Sequence, residues 1–442
     1  MGRLFGTDGV RGLAGTELTA DLARDLGVAA VRVLGDTAEP RPVFVVGRDP
    51  RSSGVWLESA LVEGITSAGG DAWLAGVEPT PAIAFLTTDL GASSGIVISA
   101  SHNPPEYNGI KLFSSAGMKL SDALEDEIEA AMTEQGGEHA SGEVRQLPEE
   151  GRERYLVHLL DSALTRLDGM RVVVDCANGS ASVLAPEVLR RLGADVTAIN
   201  AEPDGSNIND GCGALHPDVV AAEVVRLGAD AGVSHDGDAD RALFADAEGN
   251  VIDGDQVLAA CAVAMKADGS LGGDAVVGTV MSNVGFLRAM QRERIRVVQA
   301  AVGDRYVLEA MEANGIPLGG EPSGHVIFRS HASTGDGLLT AVRFLSLAAE
   351  RGATIGDLAA VMRRFPQVML NVTVRDREAL SGAEPVWEAV SGAEGELGDR
   401  GRVLVRASGT EPLVRVMVEA ETQDEARTHA ESIADVVRAE LG

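Results

Sequence analysis

The chain has 442 residues, of which 45% are apolar and 24% are charged, and it contains 53 glycines. This composition excludes a disordered or fibrous protein and is typical of a soluble globular one. Because a single hydrophobic core stops growing at roughly 250 to 300 residues, we expect several domains.

The net charge is strongly negative, since 37 basic and 67 acidic side chains give −30. Such a field repels nucleic acid and anionic membrane surfaces, so we expect neither as a partner. An anionic small-molecule substrate would need a local cluster of positive charge and backbone N–H donors. Most of the acidity is typical of a well-solvated surface.

Cysteine usage and the N-terminal residues predict a cytoplasmic protein. Cys176, Cys212 and Cys261 form neither a Cys-x-x-Cys pair nor an even set, which favours buried thiols in a reducing compartment. The first ten residues have no apolar signal-peptide core, and the chain has no apolar run of membrane-spanning length.

Three segments repeat one pattern of an apolar strand, a polar turn, a helical stretch and a second strand led by glycine. They are residues 42–76, 171–200 and 274–303. The pattern is that of a βαβ unit, so we predict an internal threefold repeat, with chance similarity between α/β segments as the alternative. Each unit is followed by a strand, a polar loop and a strand ending in phenylalanine. If the repeats are equivalent in space, the three loops converge on one cleft.

Changes in composition predict the domain boundaries. The polar stretch 132–154 follows an amphipathic helix with Ser121 as its N-cap and indicates the end of a first domain. Further boundaries fall near residues 253 and 366, and the C-terminal remainder has the pattern of a small α+β module. The predicted domains are residues 1–150, 151–252, 253–366 and 367–442.

The first polar loop, SASHNPPEYN, contains Ser101 at the end of an apolar strand. A serine held rigidly there can act as a nucleophile. From this loop alone, a turn capped by hydroxyl and amide side chains is the favoured explanation. No Gly-x-Ser-x-Gly pattern surrounds Ser101, which argues against an ordinary serine hydrolase.

The second loop, DGDADR, alternates Asp236, Asp238 and Asp240, so that three oxygen ligands can point at one hard cation such as Mg²⁺. An EF-hand is excluded because Arg241 stands where that loop requires glycine and Ala247 where it requires glutamate. A solvated acidic turn is the remaining alternative, and the flanking apolar strands make it the weaker one.

The third loop, GEPSGH, offers the carboxylate of Glu321, the hydroxyl of Ser323 and the imidazole of His325. This set fits recognition of vicinal sugar hydroxyls beside a titratable group. A surface glutamate and a histidine satisfied at a strand start are equally consistent with the loop alone.

A fourth segment, RASGTEP, combines Arg406 with two hydroxyls and a glycine, and Arg415 follows it. Such a combination is typical of a phosphate-binding loop. It supplies the local positive charge that an anionic substrate requires. A Walker nucleotide-binding loop is excluded because the chain has no Gly-x-x-x-x-Gly-Lys-Ser/Thr sequence.

Taken together and in this order, the four loops resemble the α-D-phosphohexomutase superfamily over the whole chain. The resemblance implies an α/β fold of three similar domains with mixed sheets plus a smaller C-terminal α+β domain, around a central cleft. The opening RLFGTDGVRG is most similar to the branch that acts on glucosamine phosphates. The implied reaction interconverts glucosamine 6-phosphate and glucosamine 1-phosphate through a phosphoserine and glucosamine 1,6-bisphosphate, with Mg²⁺ and a glucose- or glucosamine-1,6-bisphosphate activator. It would supply amino-sugar nucleotide synthesis.

The same resemblance implies a role for each candidate residue. Ser101 is the phosphorylated serine, and together with its phosphate Asp236, Asp238 and Asp240 hold Mg²⁺. Sugar hydroxyls contact Glu321 and Ser323. The phosphate that does not react is bound by Arg406, Ser408, Gly409, Thr410 and Arg415. Near the reacting centre the resemblance places Arg11, Lys111, Arg241 and His325.

Two departures from the family's sequence pattern leave the identity of the sugar substrate open. Pro322 stands where the glucosamine enzymes often have glutamine, and the segment PPEYNGIK is closer to the mannose and glucose mutases. The alternatives are a phosphomannomutase or phosphoglucomutase, a non-catalytic protein that binds metal and sugar phosphate, and, ranked lowest, a phosphomonoesterase.

Overall fold

The computed structural model describes residues 3–6, 8–35, 41–132, 141–408 and 411–442. The chain forms two compact units. The larger comprises Met1–Met281 and Ile295–Val361, and the smaller comprises Ser282–Arg294 and Met362–Gly442. Within the described ranges, no helix is long and apolar enough to cross a lipid bilayer.

The first sheet of the larger unit consists of β1 (Val10–Leu13), β2 (Val43–Arg48), β3 (Asp71–Val77), β4 (Ser94–Ile98), β5 (Tyr107–Ser114) and β6 (Val144–Gln146). The strand order is β1-β5-β4-β2-β3-β6, and β5 runs antiparallel to both of its neighbours. The helices of this region are α1 (Ala20–Leu34), α2 (Ser52–Ser67), α3 (Thr80–Asp89) and α4 (Asp122–Ala131).

The second sheet consists of β7 (Arg171–Asp175), β8 (Asp195–Ile199), β9 (Ala231–His235), β10 (Ala242–Asp246) and β11 (Val251–Ile252). The strand order is β11-β10-β9-β7-β8, and β10 is antiparallel to both neighbours. The accompanying helices are α5 (Pro148–Asp161), α6 (Ala181–Arg191) and α7 (Pro217–Leu227).

The third sheet consists of β12 (Ala275–Thr279), β13 (Arg296–Ala300), β14 (Leu318–Gly320) and β15 (Val326–Phe328) in the order β13-β12-β14-β15. The helices of this part of the chain are α8 (Gly254–Asp268), α9 (Val284–Arg292), α10 (Asp304–Asn314), α11 (Gly337–Arg351) and α12 (Ile355–Ala359). Of these, α9 belongs to the smaller unit.

The three sheets share one strand order. The runs β3-β2-β4-β5, β8-β7-β9-β10 and β13-β12-β14-β15 correspond, and in each the last strand is antiparallel. Strands β4, β9 and β12 are buried along their whole length, as expected for apolar strands covered on both faces. The predicted threefold pattern is therefore present, and the three polar loops occupy equivalent turns before β5, β10 and β15.

The smaller unit is an antiparallel sheet covered by helices, with β16 (Gln367–Thr373), β17 (Gly401–Ala407) and β18 (Leu413–Ala420) in the order β16-β18-β17. Helices α13 (Glu384–Leu397) and α14 (Gln423–Leu441) pack with this sheet around a core of valine and alanine. The predicted fold class, three α/β domains with mixed sheets plus a smaller C-terminal α+β domain, is confirmed.

Several local predictions also hold. Ser121 caps α4 by accepting a hydrogen bond from the N–H of Leu124 at 3.4 Å. Cys176, Cys212 and Cys261 are buried and free, as predicted.

Candidate active site

The first two loops meet at Ser101. Its Oγ donates a hydrogen bond to Asp236 Oδ2 at 2.7 Å, and both side chains are buried. The Nδ1 atom of His102 lies 3.3 Å from the same hydroxyl. Burial, with the charges of Arg241 and Arg11, lowers the pKa of His102 to about 4. The imidazole beside the hydroxyl is therefore neutral near neutral pH.

Three carboxylates of the second loop face one point. Asp236, Asp238 and Asp240 each place a ligand atom within 4.8 Å of the others, and all three are buried. Burial raises the pKa of Asp236 well above its usual value, and the charges of Asp240 and Asp238 raise it further. Burial also rules out the solvated acidic turn considered above.

This donor set fits a hard divalent cation. Asp238 Oδ1 and Asp240 Oδ1 are buried without a hydrogen-bond partner among the described residues, so each has an oxygen available as a ligand. Three carboxylate oxygens leave coordination positions for a phosphate oxygen and water, which suits Mg²⁺. A cation there would remove the repulsion that raises the pKa of Asp236.

Asp238 is oriented by two residues of the first sheet's region. Its Oδ2 accepts hydrogen bonds from Lys111 Nζ at 2.8 Å and from Thr80 Oγ1 at 2.6 Å. Burial raises the pKa of Asp238, but Lys111 and the hydrogen bond from Thr80 outweigh it and hold the pKa below its usual range. Lys111 is itself only 2% exposed; burial lowers its pKa, but the charges of Asp238 and Asp8 raise it above the usual value.

Asp8 forms ion pairs with three basic side chains. It pairs with Lys111 Nζ at 3.0 Å and also contacts Arg11 and Lys119. Burial opposes ionisation of Asp8, yet the charges of Lys111, Lys119 and Arg11 hold its pKa well below the usual range. Lys119 contacts Asp304, the first residue of α10, as well. These cations and carboxylates form a cluster of buried ion pairs beside the three-aspartate loop.

His325 faces the carboxylates from the third loop. Its Nδ1 lies 3.6 Å from Asp240 Oδ2, its Nε2 lies 3.9 Å from Asp304 Oδ2, and the backbone N–H of Gly335 donates to Nε2 at 3.1 Å. Burial lowers the pKa of His325, but the adjacent carboxylate of Asp240 and the other negative charges around it outweigh burial and raise the pKa. His325 directly precedes β15 and its Nε2 is hydrogen-bonded, and the same ring also faces two carboxylates of the site.

Glu321 and Ser323 occupy the turn beside His325. Glu321 Oε1 accepts a hydrogen bond from the backbone N–H of Gly303 at 3.0 Å, and Ser323 Oγ donates to Glu321 Oε2 at 3.4 Å. Arg241 Nε lies 3.7 Å from Asp240 Oδ1, and although burial lowers its pKa, the charges of Asp236 and Asp240 raise it. The sequence-predicted residues of the three loops thus surround one region of the larger unit.

The fourth loop lies in the smaller unit. Arg406 and Arg415 are direct partners across β17 and β18, so two like charges stand side by side. Burial and the charge of Arg415 lower the pKa of Arg406. The carbonyl of Ser408 accepts a hydrogen bond from Arg377 Nη1 at 2.8 Å. Adjacent guanidinium groups of this kind favour an anionic ligand. The predicted residues Gly409 and Thr410 lie outside the described residues.

Sequence reasoning missed several residues of this site. Asp8 lies within the opening motif RLFGTDGVRG, three residues before the predicted Arg11. Thr80 follows Pro79 at the start of α3, and Asp304 begins α10 directly after the third βαβ unit. Lys119 lies one strand beyond the first loop and has no motif around it. Asp8, inside the opening motif, and Asp304, directly after the third βαβ unit, are the two that a local pattern could have indicated.

Comparison with known proteins identifies the family. The four domain models of phosphoglucomutase/phosphomannomutase match in order: α/β/α domain I at residues 2–138, domain II at 153–249, domain III at 253–365 and the C-terminal domain at 369–436. The chain belongs to the phosphoglucomutase/phosphomannomutase family. It is accordingly a phosphosugar mutase by family, and the resemblance stated from the four loops is confirmed.

Curated relatives align over the full length. The phosphoglucosamine mutase of Streptomyces griseus is 53% identical, with 100% of both chains covered. That of Thermobifida fusca is 52% identical, covering 100% of this chain and 99% of its own.

Solved structures share the fold. A phosphoglucomutase/phosphomannomutase family protein from Burkholderia thailandensis superposes with a TM-score of 0.83 at 24% identity, covering 99% of this chain and 97% of its own. N-acetylphosphoglucosamine mutase of Aspergillus fumigatus, in complex with GlcNAc-6P and magnesium, gives a TM-score of 0.72 at 18% identity, covering 99% and 96%.

Proposed function

We propose that this protein is a phosphoglucosamine mutase, which interconverts glucosamine 6-phosphate and glucosamine 1-phosphate through phosphorylated Ser101 and a bound 1,6-bisphosphate. The observation that carries the proposal is the hydrogen bond of 2.7 Å between Ser101 Oγ and Asp236 within a buried three-aspartate loop. The choice of sugar is supported by the relatives named phosphoglucosamine mutase at 52–53% identity over the full length.

The transfer itself requires few groups. The bond between phosphorus and Ser101 Oγ breaks, a bond from phosphorus to the free sugar hydroxyl forms, and the hydroxyl proton must leave. Asp236, Asp238 and Asp240 would hold Mg²⁺, which when bound neutralises charge on the bridging serine oxygen. Lys111 and His325 are the candidates for moving the proton, and Arg11 and Arg241 would orient the phosphoryl group. The second half-reaction returns the other phosphate to Ser101.

The remaining predicted residues would bind and orient the substrate. Glu321 and Ser323 would bind vicinal sugar hydroxyls, since their oxygens lie in one turn. Arg406, Ser408, Gly409, Thr410 and Arg415 would bind the phosphate that does not react. Because each phosphate occupies the reacting position in turn, the bisphosphate must reorient between the two transfers. We expect this chemistry in the cytoplasm, on a soluble phosphosugar and within domains at residues 1–150, 151–252, 253–366 and 367–442.

The test measures turnover and the phosphoserine together. Purified enzyme with Mg²⁺ and glucose 1,6-bisphosphate should convert glucosamine 6-phosphate faster than mannose or glucose 6-phosphate. Ser101→Ala should abolish turnover, and the phosphate-sized mass increment found on the unsubstituted enzyme should be absent from it. Asp238→Ala should lower turnover most at low Mg²⁺. Turnover by Ser101→Ala equal to that of the unsubstituted enzyme would exclude the phosphoserine, and preference for another sugar would assign a phosphomannomutase or phosphoglucomutase.

A further inference from the structure

Ser101 has an unusual backbone conformation. Its φ of 51° lies in the left-handed region, which residues with a Cβ rarely adopt. The direction of its Oγ toward Asp236 depends on that conformation, because χ1 rotates about a bond whose orientation the backbone sets. Something must therefore hold the backbone of residue 101 in place.

Arg51, at the start of α2, binds this loop from inside the first domain. Its fully buried guanidinium donates from Nη2 to the carbonyls of Ser101 at 3.0 Å and Asn103 at 2.8 Å, and from Nη1 to that of Pro104. Nε of Arg51 pairs with Asp49 at 2.9 Å.

The N–H side of Ser101 is tied to the same ion pair. The N–H of Ser101 donates to Ser99 Oγ at 2.9 Å, and Ser99 Oγ donates to Asp49 Oδ2 at 2.6 Å. Both peptide groups flanking Ser101 are thus anchored to one buried ion pair, so the loop has little freedom to rotate.

Asn209 binds the same carbonyls from the second sheet's region. Its Nδ2 lies 2.9 Å from the Ser101 carbonyl oxygen and 3.2 Å from that of Asn103. The metal loop approaches here too, because a Cβ at Gly237 would lie 2.6 Å from the carbonyl oxygen of Ser101. The nucleophile loop is therefore held by one donor from its own domain and one from the domain that carries the three aspartates.

We propose that Arg51 and Asn209 are positioning residues for phosphoryl transfer, which grip the Ser101 carbonyl from two domains and so set the distance from Ser101 Oγ to the metal ligands. The proposal rests on the proposed function, since it assigns them to the transfer step. Neither residue needs to touch substrate. Misplacement of a reacting atom by about 1 Å can cost on the order of 100-fold in rate, so a loosened grip should lower kcat more than it raises KM.

The test uses Asn209→Gly, which removes the hydrogen bonds from Asn209 Nδ2 to the carbonyls of Ser101 and Asn103. Glycine adopts the φ of 59° at that position without strain. We expect kcat to fall about 10-fold with KM for the phosphosugar changed less than about twofold. Amide hydrogen exchange of the segment around residues 99–105 should accelerate. Arg51→Lys, which keeps the charge beside Asp49 but not the three-carbonyl geometry, should lower kcat further.

The matched control is Asn250→Gly. Asn250 lies in the turn between β10 and β11 of the second sheet, and its side chain donates a hydrogen bond to Asp246 Oδ2 at 2.9 Å rather than to the Ser101 loop. It should keep kcat and exchange of residues 99–105 unchanged. The proposal would be overturned if the two glycine variants lost kcat equally. It would also be overturned if Asn209→Gly kept the kcat and the amide exchange of the unsubstituted enzyme. Absence of mutase turnover from the unsubstituted enzyme would instead refute the proposed function. The comparison of amide hydrogen exchange would then show by itself whether Asn209 restrains the Ser101 loop.

Discussion

Lys111→Met tests whether the charges around Asp238 are arranged as a balanced buried cluster. The Lys111 side chain is 2% exposed, and its ammonium lies 2.8 Å from Asp238 and 3.0 Å from Asp8. Removing one partner of a buried ion pair costs about 3–5 kcal/mol, because the remaining charge is left uncompensated. Lys119 and Arg11 still neutralise Asp8, so the cost falls mainly on Asp238.

The expected change in melting temperature follows from the size of the unit. A unit of about 350 residues has an unfolding entropy of roughly 0.7 kcal/mol/K, so a loss of 3–5 kcal/mol lowers the Tm by about 4–7 °C. Differential scanning calorimetry without Mg²⁺ measures this shift for the transition of the larger unit. Mutase activity of the variant should be lost as well.

A second variant separates charge from packing. Lys111→Met with Asp238→Asn removes both charges, so it should recover much of the lost Tm but none of the activity. The exposed pair Arg166 and Asp168 provides the control, and Arg166→Met should leave the Tm unchanged. Equal destabilisation of the single and double variants would show that the uncompensated charge of Asp238 is not the cause of the loss, and the reasoning from buried charge would fail.

Three further outcomes are expected. The folded pKa of Asp236 is raised above its unfolded value, so the contribution of Asp236 to the stability of the metal-free protein is fully present below its unfolded pKa and is lost as pH rises through its folded pKa; Mg²⁺ should therefore raise the Tm more at about pH 8 than at about pH 5, and Asp236→Asn should remove most of that difference. Thr80→Val deletes the hydroxyl bonded to Asp238 and should lower kcat about 10-fold in steady-state assays, whereas an unchanged kcat would show that Lys111 alone orients Asp238. Arg415→Met should raise KM for the phosphosugar about 10- to 100-fold with little change in kcat, while Arg400→Met, on a surface pair of the same unit, should change neither.

Much of the fold could be predicted because its signals are local. An apolar run long enough for one strand, a glycine-led second strand and a capping serine such as Ser121 act within a few residues of the chain. The threefold repetition of this pattern predicted three related sheets, and the structure has one strand order in all of them. The identity of the ligand groups in three loops was equally visible, because carboxylates, hydroxyls and imidazole define their own chemistry.

The partners of those groups could not be predicted. Lys119 reaches both Asp8 and Asp304, and Asn209 reaches the carbonyl of Ser101, across more than a hundred residues of sequence in each case. No local pattern encodes such contacts, since they exist only after the loops of different sheets have been brought together.

From its sequence alone, then, this chain determines which turns carry reactive groups and the α/β units on which they stand, because hydrophobic period and turn chemistry are short-range properties. The tertiary structure decides the protonation and the orientation of those groups. Burial and like charges raise the pKa of Asp236, whereas Lys111 lowers the pKa of Asp238, although the two aspartates are only two positions apart in the sequence. The physical reason is that burial and distance between charges, which set both quantities, are properties of the packed fold.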